Sequence, residues 1–491
     1  MKRLFSTAAL LGMLTLGGLY GLPSGQADES ANPVHQRSEA SSAVDLVQAP
    51  HGPHAQAITE LLAASAGPDR DAAVADFREL GPDGFDALLR AIQPAIQQYR
   101  AGKYLGSMTG THQAEALVRL LDRVAGQRDA YTAGLYWYTD LDAAKARAQE
   151  TGKPILSLRM LGNLDEEYSC ANSRFFRTAL YADAKLSEQL RNNFVLHWHS
   201  VRPVPVITID MGDGRVIRRT ITGNSCHIAM DATGRVMDVI PGLYGPRTFE
   251  QQITQLHELA GPLSSLGDAE RDAALRAYHQ RAGERLDARW AELTESHELG
   301  STPSPLGLPA EVDEANPTLP EALEAAVVAR GKGMIERPVL LAIDTGHLTV
   351  VSPPQQATDE FWNHVAQAYA DGATLDLASR RLIREKTISA EQAARMAWSK
   401  SRVEDPLLAM VRNFEGAIAL DTARNEHLLH REIHRWFVNG EVQIDDSDAL
   451  TGRVYADLFL TPDQDPWLGL VPADTYSALD AGGLEVCETP R

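Results

Sequence analysis

Three cysteines, a run of closely spaced histidines and a few clustered aspartates are the residues in this 491-residue chain whose types and spacing suit chemistry. The cysteines are Cys170, Cys226 and Cys487. They are too few for a disulfide scaffold, and an odd number leaves at least one thiol over unless two chains join. His427, His430 and His434 are spaced three and then four residues apart, which puts all three imidazoles on one helix face. Three imidazoles suit zinc or another divalent ion. One straight helix rarely brings ligands one and two turns apart onto a single ion, so a polar face or a partner contact shared with Trp436 is the plainer reading.

His197 and His199 alternate around Trp198, so a strand would point both to the same side. With His227 they form either a histidine cluster or a set of ordinary strand histidines. Asp463, Asp465 and Asp474 near Trp467 invite a calcium reading, but they fit no loop motif and read as turn residues. There is no phosphate-binding loop, dinucleotide fingerprint, nucleophile elbow or zinc-protease helix. No cofactor is therefore expected. The formal charge of −20 would repel nucleic acid and an anionic membrane surface alike.

The elements that must position these residues follow from pattern. Residues 1–27 read as a secretory leader, with Lys2 and Arg3 before an apolar run and Gly25-Gln26-Ala27 at the cleavage point. No later stretch is long and apolar enough to span a membrane, so no transmembrane segment is expected in the mature chain. The expected destination is periplasmic or secreted, where disulfides persist. Residues 28–56, rich in Ser, Ala, Gln and Pro, read as a flexible linker. Residues 57–130 carry helical periodicity, broken at Gly81-Pro82. Ala72 to Ile92 looks like one helix–turn–helix repeat, but without a second copy a small helical bundle is the safer reading.

The pattern changes over 131–260. A helix over Asp140–Thr151 closes at Gly152, and Ile155–Met160 is a short apolar strand. A helix over Asn172–Arg191 and a strand over Phe194–Trp198 follow. Two hairpins turn at Gly212-Asp213-Gly214 and Ala232-Thr233-Gly234, and a helix over Phe249–Leu259 closes the region. This order implies an α/β unit with a mixed sheet. Residues 261–300 form a long amphipathic helical segment and 301–320 a proline-rich linker. Residues 321–491 read as a mainly helical C-terminal domain, with helices over Leu375–Lys386, Ala390–Lys400 and Leu407–Phe437, the last with a possible break at Gly416.

Tyr136-Trp137-Tyr138-Thr139-Asp140, the Ala/Lys helix and Gly152-Lys153-Pro154-Ile155-Leu156 together resemble the entry to a thioredoxin-like domain. Leu180-Tyr181-Ala182-Asp183 through Phe194-Val195 resembles the stretch after that family's redox motif. Ile228–Gly234 with Gly242 resembles its closing hairpin. The resemblance covers about a quarter of the chain and places the two-cysteine motif at Cys170-Ala171-Asn172-Ser173. Three departures stand out. Ser173 replaces the second cysteine. The loop from Met160 to Ser169 is long and carries Asp165, Glu166 and Glu167. Ser225, followed by Cys226, stands where the family has a cis-proline.

The resemblance implies that Cys170 starts a helix, where the dipole and free N–H groups favour a thiolate. Arg174 would help and the three acidic residues would oppose. Ser173 cannot resolve a mixed disulfide, although its hydroxyl could bond the thiolate, and a monothiol can still exchange. Cys226 would then be a reversible partner, half of a static disulfide, or one of two buried thiols. The expected architecture is an α/β thioredoxin-like central domain flanked by mainly α-helical N- and C-terminal regions. One functional expectation is monothiol-type exchange with protein thiols or disulfides through Cys170, Ser173 and Cys226. The alternative is a redox-inactive thioredoxin-fold scaffold that binds an envelope protein partner.

Overall fold

The structure, a computed structural model, describes residues 46–105, 111–214, 216–220, 223–295, 362–387, 406–459 and 461. The expected leader, most of the expected 28–56 linker, the expected 301–320 linker, the helix expected at Ala390–Lys400, Cys487 and the aspartates around Trp467 lie outside the described residues.

Helices α1 (Ala55–Ala63), α2 (Pro68–Arg78), α3 (Gly81–Ala91), α4 (Gln93–Leu105) and α5 (Thr111–Ala125) form the N-terminal bundle. Gly81 takes φ +62 between α2 and α3, a left-handed conformation that glycine adopts without strain. Phe85, Leu88 and Ile92 then line one buried stripe. The expected linker ends earlier than residue 56. Leu46 is buried and the Gln48 N–H bonds the Ala91 carbonyl, because an apolar side chain at that point finds the bundle core.

A short helix α6 (Ala130–Ala133) leads to α7 (Leu141–Thr151). The Asp140 carboxylate caps α7 by accepting from the Ala143 N–H at 2.7 Å, and Gly152 ends it at φ +70. Strands β1 (Ile155–Leu161), β2 (Val195–Arg202), β5 (Ser225–Met230) and β6 (Val236–Pro241) build one sheet in the order β2-β1-β5-β6. β1 and β2 are parallel, with Ile155 opposite Val195. β5 is antiparallel to β1, with Arg159 opposite Cys226, and β6 is antiparallel to β5. Strands β3 (Val206–Asp210) and β4 (Val216–Thr220) form a separate two-stranded ribbon. Every residue of β1, β5 and β6 is buried, as expected for strands covered on both faces.

The single helix expected over Asn172–Arg191 is two. α8 (Ala171–Phe175) runs into a π turn, Phe176–Leu180, and α9 (Ala184–Asn193) starts afresh. The restart has a local cause, since the Asp183 carboxylate accepts from the Leu186 N–H and caps the new helix.

The C-terminal half supplies α10 (Pro246–Ser264), α11 (Asp268–Glu295), α12 (Leu377–Thr387), α13 (Pro406–Arg424), α14 (Arg431–Val438) and α15 (Ser447–Arg453). α13 passes Gly416 unbroken. The irregularity comes later, as a π turn over Asn425–His430. There Asn425 donates to the Leu243 carbonyl at 2.7 Å. Gly242 makes this approach possible, because a Cβ on it would fall 2.5 Å from the Asn425 amide nitrogen. A third π turn, Val454–Leu458, follows α15. One hydrophobic core runs through the sheet and these helices, and a second fills the N-terminal bundle.

Trp137 ties the bundle to the sheet. Its backbone N–H bonds the Ala125 carbonyl and its indole N–H bonds Gln127 at 2.7 Å. Trp198 bonds the Gly126 carbonyl at 2.7 Å. Replacing the fully buried Trp137 by alanine should cost about 3–5 kcal/mol of unfolding free energy. Urea denaturation checks this, and a loss below about 1 kcal/mol would contradict the anchoring role.

Candidate functional site

The expected cysteine site is assembled at the end of β1 and the start of α8, and it is closed. Cys170 is the N-cap of α8, with its sulfur 3.5 Å from the Ser173 N–H. The same sulfur lies 3.0 Å from the Ser225 hydroxyl. Ser173 does not turn its hydroxyl to the thiol. Its oxygen lies 2.7 Å from Ser169 Oγ and 2.8 Å from the Cys170 carbonyl. Arg174 reaches the Ser169 carbonyl and Thr220 rather than the sulfur. Cys170, Ser173, Ser225 and Cys226 all have no exposed surface.

Cys170 and Cys226 are both thiols, not joined by a disulfide. Successive residues of a strand point to opposite faces. Because Ser225 meets Cys170, Cys226 is directed to the other side of β5. Tyr455 lies near both sulfurs and donates its O–H to the Asn224 carbonyl at 3.0 Å. The Val454–Leu458 turn thus delivers an aromatic ring to this end of the sheet.

The strand histidines serve separate partners. His197 Nδ1 lies 2.8 Å from Ser157 Oγ, and His227 Nε2 lies 2.6 Å from the Tyr181 hydroxyl. His199 is exposed. Burial pushes both His197 and His227 down to about 3. The three C-terminal histidines also part company. The π turn rotates His427 off the shared face, and its Nε2 meets the Tyr369 hydroxyl at 2.8 Å. His430 and His434 stay together, with ring centroids 4.1 Å apart.

These two rings meet a pair of residues that no local pattern singled out. Asp238 of β6 sits 3.1 and 3.2 Å from His430 Nε2 through its two oxygens. It also accepts from the Val239 N–H at 2.7 Å and the Tyr278 O–H at 3.2 Å. His279 of α11 faces His434, Nδ1 to Nδ1, at 2.8 Å, and its Nε2 lies 2.9 Å from the Met237 carbonyl. Phe437 stacks on the His279 ring at 3.8 Å. Asp238, His279, His430 and His434 are all buried. A pocket of about 170 Å³ between α10 and α11 reaches this cluster, with Gln252, Tyr278, Glu426, His430 and His434 in its wall.

The electrostatics sort the four groups. Burial alone would raise the Asp238 carboxyl, but the His430 charge and hydrogen bond, with help from His279 and His434, hold it well below the usual range. Burial would depress His430, yet Asp238 and then Glu426 push it up to about 10. Burial takes His279 down to about 4 and His434 well below its ordinary value. The arrangement is an ion pair, His430 with Asp238, beside two neutral imidazoles. Asp238, His279 and His434 bring the oxygen and nitrogen atoms that could hold a metal ion. The sequence did hold one sign of Asp238, a lone acid within an apolar strand (Val236–Pro241). His279 carried no such sign within its helix.

No family model matches the chain, and no curated protein or solved structure matches it either.

The buried neutral histidines of the sheet set an acid limit on stability. Their folded values lie near 3, against 6.5 when exposed. Their contribution is complete above pH 6.5 and is lost as the pH falls from there towards 3. Between pH 6.5 and 5 each should remove about 2 kcal/mol. Urea denaturation at pH 7 and pH 5 should show this loss, reduced in His197→Asn and in His227→Gln. An undiminished loss in both variants would contradict the assignment.

Proposed function

We propose that the chain is an exported protein built on a thioredoxin-like core that works as a redox-inactive scaffold, with its helical flanks holding a partner protein of the cell envelope. The order of elements supports the thioredoxin-like reading. A parallel β1–β2 pair with α8 and α9 between them, an antiparallel β5–β6 hairpin and a closing α10 follow the succession that the sequence resemblance implies. Cys170 at the first turn of α8 stands at the motif position, and Ser225 beside it takes the place of the family's proline. The charged n-region and apolar run of residues 1–27 support export. No helix among the described residues is long and apolar enough to cross a membrane.

The observation that carries the redox-inactive reading is the burial of Cys170. Thiol–disulfide exchange requires a thiolate to approach a second sulfur in line, so it depends on access as well as on ionisation. The Cys170 sulfur has no exposed surface and is engaged by Ser225. The second sulfur nearest in sequence to this site, Cys226, points to the other face of β5. A serine–cysteine cluster with no exposed surface is a packing element.

Alkylation read by peptide mass spectrometry tests this. In the folded chain, Cys170 and Cys226 should label at least about a hundredfold more slowly than in urea, because labelling waits for local opening. Cys170→Ser should fold and keep partner binding. Fast labelling of Cys170 in the folded chain well below the ordinary thiol value of about 8.5 would overturn the scaffold reading in favour of monothiol exchange.

A further inference from the structure

We propose that Asp238, His279 and His434 form a binding site for a divalent cation of the zinc class, with its open coordination position directed to the pocket between α10 and α11. One ligand atom from each residue lies within 4.8 Å of the others. Zinc bonds to nitrogen and carboxylate oxygen at about 2.0–2.2 Å, which sets tetrahedral ligand atoms about 3.4 Å apart, so an ion parts the two Nδ1 atoms from their 2.8 Å contact. Two imidazoles and one carboxylate are a borderline-hard donor set that suits zinc and its neighbours in the first transition row. Three protein ligands with a position left for water is the arrangement of ions that act on a bound molecule rather than of ions that only staple a fold.

The outer contacts support the assignment independently of the cluster itself. A carbonyl oxygen only accepts, so the 2.9 Å contact from His279 Nε2 to the Met237 carbonyl places the ring hydrogen on Nε2. The neutral ring then keeps its lone pair on Nδ1, the atom that faces His434 at 2.8 Å. Metal-bound histidines ordinarily fix the second nitrogen through a carbonyl in this way. His434 Nδ1 then donates the hydrogen of this contact, and an ion bound to both Nδ1 atoms takes its place, with the His434 hydrogen moving to Nε2. Asp238 is oriented by three donors, Val239 N–H, Tyr278 O–H and His430. A carboxylate has roughly four acceptor sites, which leaves one for an ion.

His434 and His430 line the pocket together with Glu426. Glu426 puts a carboxylate in the pocket wall, 3.9 Å from His430 and held by Gln252. The pocket volume of about 170 Å³ admits water and a small polar ligand. None of this depends on the state of the cysteines, and an outcome of the alkylation experiment leaves it unchanged.

The test uses the full chain, stripped with a chelator and titrated with Zn²⁺ in competition with a chromophoric indicator. One tight site per chain is expected. Asp238→Asn and His279→Gln should each weaken it by more than the roughly 10–100-fold typical of outer contacts, and Tyr278→Phe should fall within that range. His427→Gln and Cys170→Ser should bind as the parent does. X-ray absorption of the zinc-loaded parent should show imidazole nitrogen and oxygen with no sulfur, and this readout stands even where a variant fails to fold. Absence of one tight site, unchanged affinity in both ligand variants, or sulfur in the first shell would each overturn the proposal.

Discussion

The rest of the structure depends on one buried carboxylate. Asp238 lies on the edge strand of the sheet and is almost wholly removed from water. An isolated charge in such a place is prohibitively costly, so it must be paired and hydrogen-bonded. The strand itself supplies only the Val239 N–H. Tyr278 and His430 supply the remaining bonds from two separate helical elements. The edge strand of the sheet can therefore be satisfied only if α11 and the His430 turn dock against it. What the sequence pattern presents as a C-terminal appendage is in physical terms the missing wall of the sheet.

The same logic repeats at other buried charges. Arg271 pairs with Asp231 at 2.6 Å, both buried, and fastens α11 to the β5–β6 turn. Arg159, in the middle of β1, reaches Asp448 and Ser447 and fastens α15. Each of these pairs spans a long stretch of sequence. Removing Asp231 or Asp448 leaves a buried arginine without its carboxylate, which costs more than the pair contributes. The docking of α15 also brings the Val454–Leu458 turn, and with it Tyr455, to the thiol end of the sheet. Closure of the cysteine site and construction of the histidine site are thus two results of one packing arrangement.

Local structure was legible in the sequence wherever backbone chemistry decides it. The Asp140 cap and the Gly152 stop bound α7, the apolar run of β1 reads directly, and the two glycine turns mark the hairpins. The limits were equally local in origin. The Asp183 cap divides one expected helix into two, and Gly416 proved harmless because its surroundings are open. For the histidines, an unbroken helix predicts a shared face for all three. The π turn keeps His430 and His434 together and turns His427 towards Tyr369. Its cause is tertiary, the insertion of Asn425 against Gly242. Asp238 and His430 are 192 residues apart, and no spacing rule joins residues at that distance. The thiol end of the sheet has the same character, because Tyr455 bonds the Asn224 carbonyl from 231 residues away.

The central claim is that the reactive constellation of this protein is the oxygen–nitrogen cluster at the edge strand and not the thiol at the helix start. Anomalous diffraction at the zinc edge, from crystals of the full chain grown with one equivalent of zinc, tests it most directly. A single strong peak bounded by Asp238 and the Nδ1 atoms of His279 and His434 is expected. A strong peak at Cys170 or Cys226, or no peak among those three residues, would contradict it.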